Sequence, residues 1–486
     1  MKRSILLFAL LCATTFTQAQ IGIGTSSPNA ASQLEVSSTS KGFLPPRMTA
    51  AQRNAISTPV AGLMVWCNDC GSNGEIQIYN GTEWVNFIGG ARQLTATAAS
   101  STRLGADIDG EAAENYSGWS VTSSSDGTTV AIGARGNTAY TGHVRVYKYI
   151  NSAWTQIGAD IDGEAVEDNS GFSVSISSDG TTVAIGAPYN DGVGSNAGQV
   201  RVYKYTAGAW TQIGADIDGE AAGDISGYSV AISSDGATVA IAAPTNDGGG
   251  NNAGQVRVYQ YINNTWTKIG ADIDGEAIYD ESGTAVAVSS DGTTVAIGAI
   301  GNAGGGSVAG HVRVYKNITG TWTKIGADID GEAAGDQSGG SVSISSDGTT
   351  VAIGASNNGG SYAGHVRVYK NITGTWTKIG ADIDGEAAGD YSGGSVSISS
   401  DGTTVAIGAP TNDGGGNIAG QVRVYKYIAG TWTKIGADID GEAAGDLSGG
   451  SVAISSDATT VVIGARNNAG GSTNAGQVRV YKIVGL

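Results

Sequence analysis

Acidic residues are concentrated in one short phrase of this sequence. The stretch "GADIDGEAAGD" at residues 326–336 recurs letter for letter at 214–224, 380–390 and 436–446, and with small changes three more times upstream. Its kernel sets three carboxylates within five residues; one copy offers Asp216, Asp218 and Glu220, followed by Asp224. In an extended chain Asp216 and Asp218, two apart, point the same way. With Glu220 and a backbone carbonyl they could converge on a cation, and calcium is the candidate because it takes roughly six to eight oxygens. A second reading gives these residues and their equivalents a plainer task, in which Asp-Gly forms a turn and the carboxylates cap backbone groups. Both readings stay open.

The other chemistry-bearing residues are few. His143, His311 and His365 are the three histidines, and each sits in "GHVRVY". The remaining repeats carry Gln199, Gln255, Gln421 and Gln477 at that place. A position shared by His and Gln at the head of a repeated strand reads as structural, which leaves no candidate for a Ser-His-Asp or Cys-His arrangement. No catalytic residue is expected, and the protein is read as not an enzyme. The arginines of every "VRVY" (145, 201, 257, 313, 367, 423 and 479) read as paired ions inside strands, bridging to an Asp of the same or the next repeat. Cys67 and Cys70, in "WCNDCGSNGE", are expected to form a local disulfide, since zinc needs about four ligands.

One repeated position changes character along the chain. The residue after each Ser-Gly is Trp119, Phe172, Tyr228, Thr284, Gly340, Gly394 and Gly450 in turn. Aromatic rings suit the C–H faces of sugars, and carboxylates accept from sugar hydroxyls. Trp119, Phe172 and Tyr228, with Asp109, Asp162 and Asp218 nearby, are therefore the expected ligand-binding residues. Packing between repeats is the rival reading for the aromatics.

The elements that must position these residues follow from composition and period. Of 486 residues 78 are Gly, about 16% against a usual share of roughly 7%. Val, Ile, Thr, Ser and Tyr fill the intervals, which favours strands. The net charge of −18, from 26 Lys plus Arg and 44 Asp plus Glu, opposes nucleic acid and anionic membranes. Residues 1–19 read as a signal peptide, with Lys2 and Arg3, an apolar core from Ile5 to Ala13, and a small-x-small site at Thr17-Gln18-Ala19. No later stretch has the roughly 20 apolar residues of a membrane span.

The Asp before each Gly-Glu falls at 109, 162, 218, 274, 330, 384 and 440, with spacings of 53, 56, 56, 56, 54 and 56. Such a period, with several short strands per unit, indicates a propeller or an array. The copy from Ser226 to Asp274 shows four strands, here A to D: "YSVAISS", "ATVAIAAP", "GQVRVYQY" and "TWTKIGADI". Asp235-Gly236 predicts a two-residue hairpin with both turn residues at positive φ. Four-stranded antiparallel units arranged in a ring are propeller blades. The repeats open with a lone strand-D fragment at 101–108 and stop after strand C, "QVRVYKIVGL". The fold expected is all-β, a seven-bladed β-propeller closed by its N-terminal strand over 96–486, which leaves no open sheet edge at the joint.

"SGYSVAISSDGATVAIAAP" and "SGFSVSISSDGTTVAIGAP" resemble the FG-GAP repeat of integrin-α-type propellers, with Ser-Gly in place of Phe-Gly. The Gly-Ala-Pro is kept at 186–188 and 408–410 and reads Gly-Ala-Arg, Ala-Ala-Pro, Gly-Ala-Ile or Gly-Ala-Ser elsewhere. The resemblance implies a calcium loop in the A–B hairpin. That hairpin is "SSDGTT" here, with a single Asp, so the family's metal site is not carried over. Residues 20–95 form a separate, mostly-β module. It has a helix start at Thr49 with Gln52 three residues on, then strand-like runs at 62–67, 75–79 and 83–88. It is similar to leader modules of bacterial surface and tail-fibre-like proteins.

In an antiparallel blade the D–A and B–C loops share one face. Length variation lies in the B–C loops, where Gly to His or Gln spans 133→143, 186→199 and 354→365. That acidic, variable face is the expected interaction surface. The reading is a secreted or cell-surface, non-catalytic binding or adhesion protein that engages a glycan or an extracellular protein. Its alternatives are an exported polysaccharide- or lipid-degrading enzyme and a structural surface or fibre component.

Overall fold

The computed structural model describes residues 21–23, 34–36, 44–70, 74–79, 81–86, 100–358 and 361–484. The expected signal peptide lies outside them. The chain divides into two compact units, Met1–Ala96 and Thr97–Leu486.

In the first unit Ile21–Ile23 pairs in parallel with Leu34–Val36. A four-stranded sheet runs in the order Arg47–Met48, Met64–Cys67, Glu75–Tyr79, Trp84–Asn86. The short helix Ala50–Asn54 starts at Thr49, whose hydroxyl accepts from the Gln52 amide while the Gln52 side chain accepts from the Thr49 N–H. This reciprocal pairing satisfies two helix-start donors. Cys67 and Cys70 form a disulfide.

The second unit is nearly all β, a β-propeller repeat fold of four-stranded antiparallel sheets in the order D-C-B-A. In the third sheet these strands are Thr265–Lys268, Gln255–Ile262, Thr238–Ala243 and Ser229–Ile232. Strand B is buried along its whole length in every sheet, for example Thr182–Ala187. Its two faces do different jobs. Val183 and Ile185 pack on the sheet before, whereas Ala184 faces the Val230, Ile232, Val239 and Ile241 of the sheet after. Large residues therefore meet a small one at this joint, the alternation that lets close-packed layers interlock without voids. A cluster of the same kind joins Val462, Val478 and Val480 to Val121, Val130 and Ile132.

Strand D departs from the continuous run read in the sequence. Its outer part, Thr265–Lys268, is followed after a break by Ile273–Asp274, which returns to pair with Gln255 and Val256 at the head of strand C. The break is set by Gly270 at φ +76, where a Cβ would come within 2.7 Å of Trp322 in the next sheet. Only a residue tolerant of that φ and that contact fits there. Residues 100–103 pair with 481–484, and Ile108 and Asp109 with Val478 and Gln477, so the first strands of this unit complete the sheet that holds its last strand.

The A–B turn also differs from expectation. Gly236 has φ +72, but Asp235 does not have positive φ. The loop is longer than two residues: the Ser233 N–H donates to the Thr238 carbonyl and the Gly236 N–H to Ser233. Asp235 instead accepts from Ser233 Oγ at 2.6 Å and from the Ala237 N–H at 2.9 Å. Self-bonding by the Asp side chain builds the turn, which removes the need for a second positive φ.

Candidate functional site

The repeated acidic phrase proves to be the joint between neighbouring sheets. Arg257, on strand C of the third sheet, donates from Nη2 to the backbone carbonyl of Asp218 in the second at 2.8 Å. Its Nη1 donates to Tyr259 Oη at 3.0 Å and lies 3.6 Å from Glu220 Oε1. The same clamp is repeated by Arg145, Arg201, Arg313, Arg367, Arg423 and Arg479. The carboxylate partner is thus the Glu of Gly-Glu, and Asp contributes its carbonyl, not the side chain expected from the sequence. The glycine between them is equally constrained, since a Cβ on Gly219 would lie 2.0 Å from the Ala197 carbonyl oxygen.

The four carboxylates expected to converge on calcium are divided among separate partners. Asp216 accepts from Gln212 at 2.5 Å and Asp218 from Gln199 at 3.4 Å. Glu220 faces Arg257, and buried Asp224 accepts from the Ala221 N–H and from Asn246 at 3.0 and 2.9 Å. They belong to none of the compact His/Cys/Asp/Glu groups found among the described residues. Turn-building and blade-joining account for them.

Three such groups do occur in the propeller, each joining equivalents of Glu220 and Asp216 to a histidine: Glu111–His143–Asp160, Glu276–His311–Asp328 and Glu332–His365–Asp382, each with its ligand atoms within 4.8 Å. Nε2 of each buried histidine has no hydrogen-bond partner. The carboxylates, however, are already engaged, Glu111 by Arg145, Asp160 by Gln156, Asp328 by Lys324 and Asp382 by Lys378. Burial and then the neighbouring arginine pull all three histidines below their ordinary value, so they are neutral at pH 7.

The expected aromatic set is brought together. Trp119, Phe172 and Tyr228 each precede a strand A, and the innermost strands of successive sheets lie side by side. The ring centroids of Trp119 and Phe172 are 5.6 Å apart and those of Phe172 and Tyr228 4.9 Å, all three half-buried. They line a cavity of about 390 Å³ to which all seven strands A contribute, with Gly340, Gly394 and Gly450 at the corresponding place in three other sheets. Asp109, Asp162 and Asp218, expected beside the rings, do not line this cavity. Asp109 instead borders a groove of about 280 Å³ with Tyr147 and Trp154. Asp109, Asp162 and Asp218 each pair with the first residue of a strand C, namely Gln477, His143 and Gln199.

Two residues of the site escaped the sequence reading. The guanidinium of Arg135 lies 3.5 Å from the Trp119 ring centroid, and that of Arg466 lies 4.8 Å from it. Both follow Gly-Ala at the end of strand B, where other sheets carry Pro188, Pro244, Ile300, Ser356 and Pro410. The signal was present as a charge at a position otherwise uncharged, but it was absorbed into the tolerated variation of Gly-Ala-x.

Fold and site together define a β-propeller repeat protein in which one axial cavity breaks the repeat. Within this chain, residues 22–102 match the family described as a phage tail like trimerisation region. Among solved structures the chain is similar to the WD40 repeats of RRP9, with a TM-score of 0.51 and 12% identity over 79% of this chain and 100% of that one. It also aligns with Kuenenia stuttgartiensis hydrazine synthase, at a TM-score of 0.49 and 13% identity over 78% of this chain and 97% of that one. At such identity the RRP9 likeness shows the fold alone. No curated protein matches the chain.

Proposed function

We propose that this chain is an exported, non-catalytic binding or adhesion protein that holds a glycan at the axial cavity of its propeller. In this reading the propeller has seven blades of FG-GAP-like sequence, closed where residues 101–108 complete the last sheet. The pairing of 100–103 with 481–484 and the apolar cluster joining the last sheet to the first support the closure. The N-terminal module gathers three copies, a role supported by the trimerisation-region match over 22–102. Export rests on the signal pattern of residues 1–19.

The observation that carries the binding role is the departure from the repeat at one place. The strand-C arginine and the Asp-Gly-Glu it clamps recur at every joint, but Trp119, Phe172 and Tyr228 occur on three neighbouring sheets only. A structural requirement common to seven sheets does not ask for rings in three. Half-buried rings beside an open volume offer stacking area without the entropy cost of ordering a flexible side chain.

The test is a glycan-array screen with the full chain, followed by Trp119→Ala and Tyr228→Ala. Each substitution should weaken a confirmed glycan by about tenfold or more, equivalent to roughly 1.4 kcal/mol. The melting temperature should fall far less than a loss of roughly 3–5 kcal/mol, the cost of a core aromatic, would produce. A large stability loss with unchanged binding would make the rings core packing. A second reading, a trimeric fibre component with no ligand, is favoured by the same N-terminal match. It predicts ordered self-assembly by light scattering and an empty array.

A further inference from the structure

Every arginine of the propeller except two faces a carboxylate. Arg103 has Asp107 and Glu442, and the seven strand-C arginines each have the Glu of a Gly-Glu. Arg135 and Arg466 have none among the described residues, and Arg135 Nε has no hydrogen-bond partner. Both approach the Trp119 ring, so two like charges are held close together. The lining of the axial cavity includes Arg466 and several serines but no Asp or Glu.

This arrangement is unfavourable as it stands. Burial lowers the pKa of both arginines, and Arg135 lowers that of Arg466 further. Guanidinium remains charged regardless. Contact with the Trp119 face recovers part of the desolvation cost but does nothing for the mutual repulsion. The carboxylate of Glu281 interacts with Tyr228 and makes no ion pair with either arginine, and burial raises its pKa. Paired cations without a counter-ion, next to a cavity, are half of a charge-assisted contact whose other half comes from outside.

We propose that the glycan bound at this cavity is anionic, and that Arg135 and Arg466 together receive an oxyanion carried on one of its sugars. The inference rests on the glycan-binding reading above and adds the chemical class of the ligand. The oxyanion is a uronate carboxylate or a sulfate ester, both of which a guanidinium fork can hold through paired N–H donors. The aromatic trio then takes the adjoining sugar face, and the serines that line the cavity on six of the seven strands A meet the hydroxyls.

The experiment titrates the full chain by calorimetry with an oligogalacturonate, a sulfated oligosaccharide of the same length and a neutral malto-oligosaccharide. Parent protein is compared with Arg135→Gln, Arg466→Gln and Arg135→Lys. One of the two acidic ligands should bind at least tenfold more tightly than the neutral one, and which of them does so identifies the oxyanion. Both Gln variants should lose tenfold or more of that affinity, and Lys should recover part of it. Without ligand, the Gln variants should melt no lower than the parent, since each removes one of two repelling cations. Equal binding of neutral and acidic oligomers, with Gln variants unimpaired, overturns the inference and leaves the glycan reading standing. No binding of any of the three overturns both. Gln variants that melt lower while binding is unchanged would make the arginines packing partners of Trp119.

Discussion

At the scale of single residues, the repeat uses polar groups as fasteners. A buried Arg with one carbonyl, one phenol and one Glu replaces what would otherwise be an apolar contact, and its removal would take the donor from the carbonyl and the phenol while the half-exposed Glu stays in water. The histidines at the head of strand C are a different case. Burial outweighs the nearby Asp and Glu, so each His is held below its ordinary pKa and stays neutral. In the unfolded chain they protonate below about pH 6.5. Through that range the unfolded state binds more protons than the folded one, so stability is full above it and falls as the pH falls. Asp126, Asp179, Asp291, Asp347, Asp401 and Asp457 in the A–B turns are also held low. Burial opposes this for Asp126 and Asp179, but bonds from Ser and Thr prevail. Their contribution is therefore lost only in stronger acid. Melting measured at pH 7 and pH 5 should show a drop of a few degrees for the parent. A variant with His143→Gln, His311→Gln and His365→Gln, residues that four sheets already use, should show a smaller drop. An equal drop in both proteins would remove the histidines from the account.

At the scale of elements, the A–B turn carries the sharpest local test. Six sheets turn through Asp-Gly and the seventh through Asp457-Ala458, where Ala458 has φ +63. In the other sheets a Cβ at this place would crowd a threonine of the preceding sheet, as between Gly180 and Thr129 at 2.8 Å. Left-handed backbone costs a non-glycine residue roughly 1–2 kcal/mol, and crowding adds to it. Against this, Ala458 is 5% exposed, and losing its methyl gives up about 0.8 kcal/mol. Ala458→Gly should stabilise by up to about 1 kcal/mol, read as a rise in melting temperature, while Gly180→Ala should lower it. The four strands were legible because Val and Ile alternate or run continuously between Gly-rich turns. Their finer geometry was not. The strand-D break depends on a Trp one repeat away, and the turn depends on a side-chain oxygen bonding its own backbone, neither of which alternation encodes. The aromatic trio was legible as a departure from period. Arg135 and Arg466 were not, because their meaning depends on adjacency across the joint between the last sheet and the first.

At the scale of the whole molecule, the proposed closure and the proposed trimer are separable by two truncations. Residues 100–103 add four register pairs to the edge of 481–484, Leu104 donates its N–H to Val480 at 2.7 Å, and its carbonyl accepts from Trp154 Nε1 at 2.7 Å. Ile108 is 4% exposed within the cluster that joins the last sheet to the first. Removing 20–108 takes away the outer strand of one sheet and part of the apolar joint to its neighbour. It also bares the backbone of strand C as an open edge, a template for pairing with other chains. Removing 20–90 leaves all of these contacts in place and deletes most of the region that matches the trimerisation family. The shorter deletion should therefore melt within a few degrees of the full chain, yet run as a single copy by light scattering where the full chain runs as three. The longer deletion should melt much lower and aggregate. If both deletions melt alike, residues 101–108 do not close the propeller. If the 20–90 deletion keeps the mass of the full chain, the N-terminal module does not assemble it. A trimer would also bear on the ligand, since three axial cavities on one assembly raise the effective concentration of the second and third contacts along a polymer. Weak single-site affinity can then give an overall gain of roughly 10²–10⁴. Binding to an immobilised polysaccharide should accordingly collapse in the 20–90 deletion while its calorimetric affinity for a short oligomer stays that of the full chain.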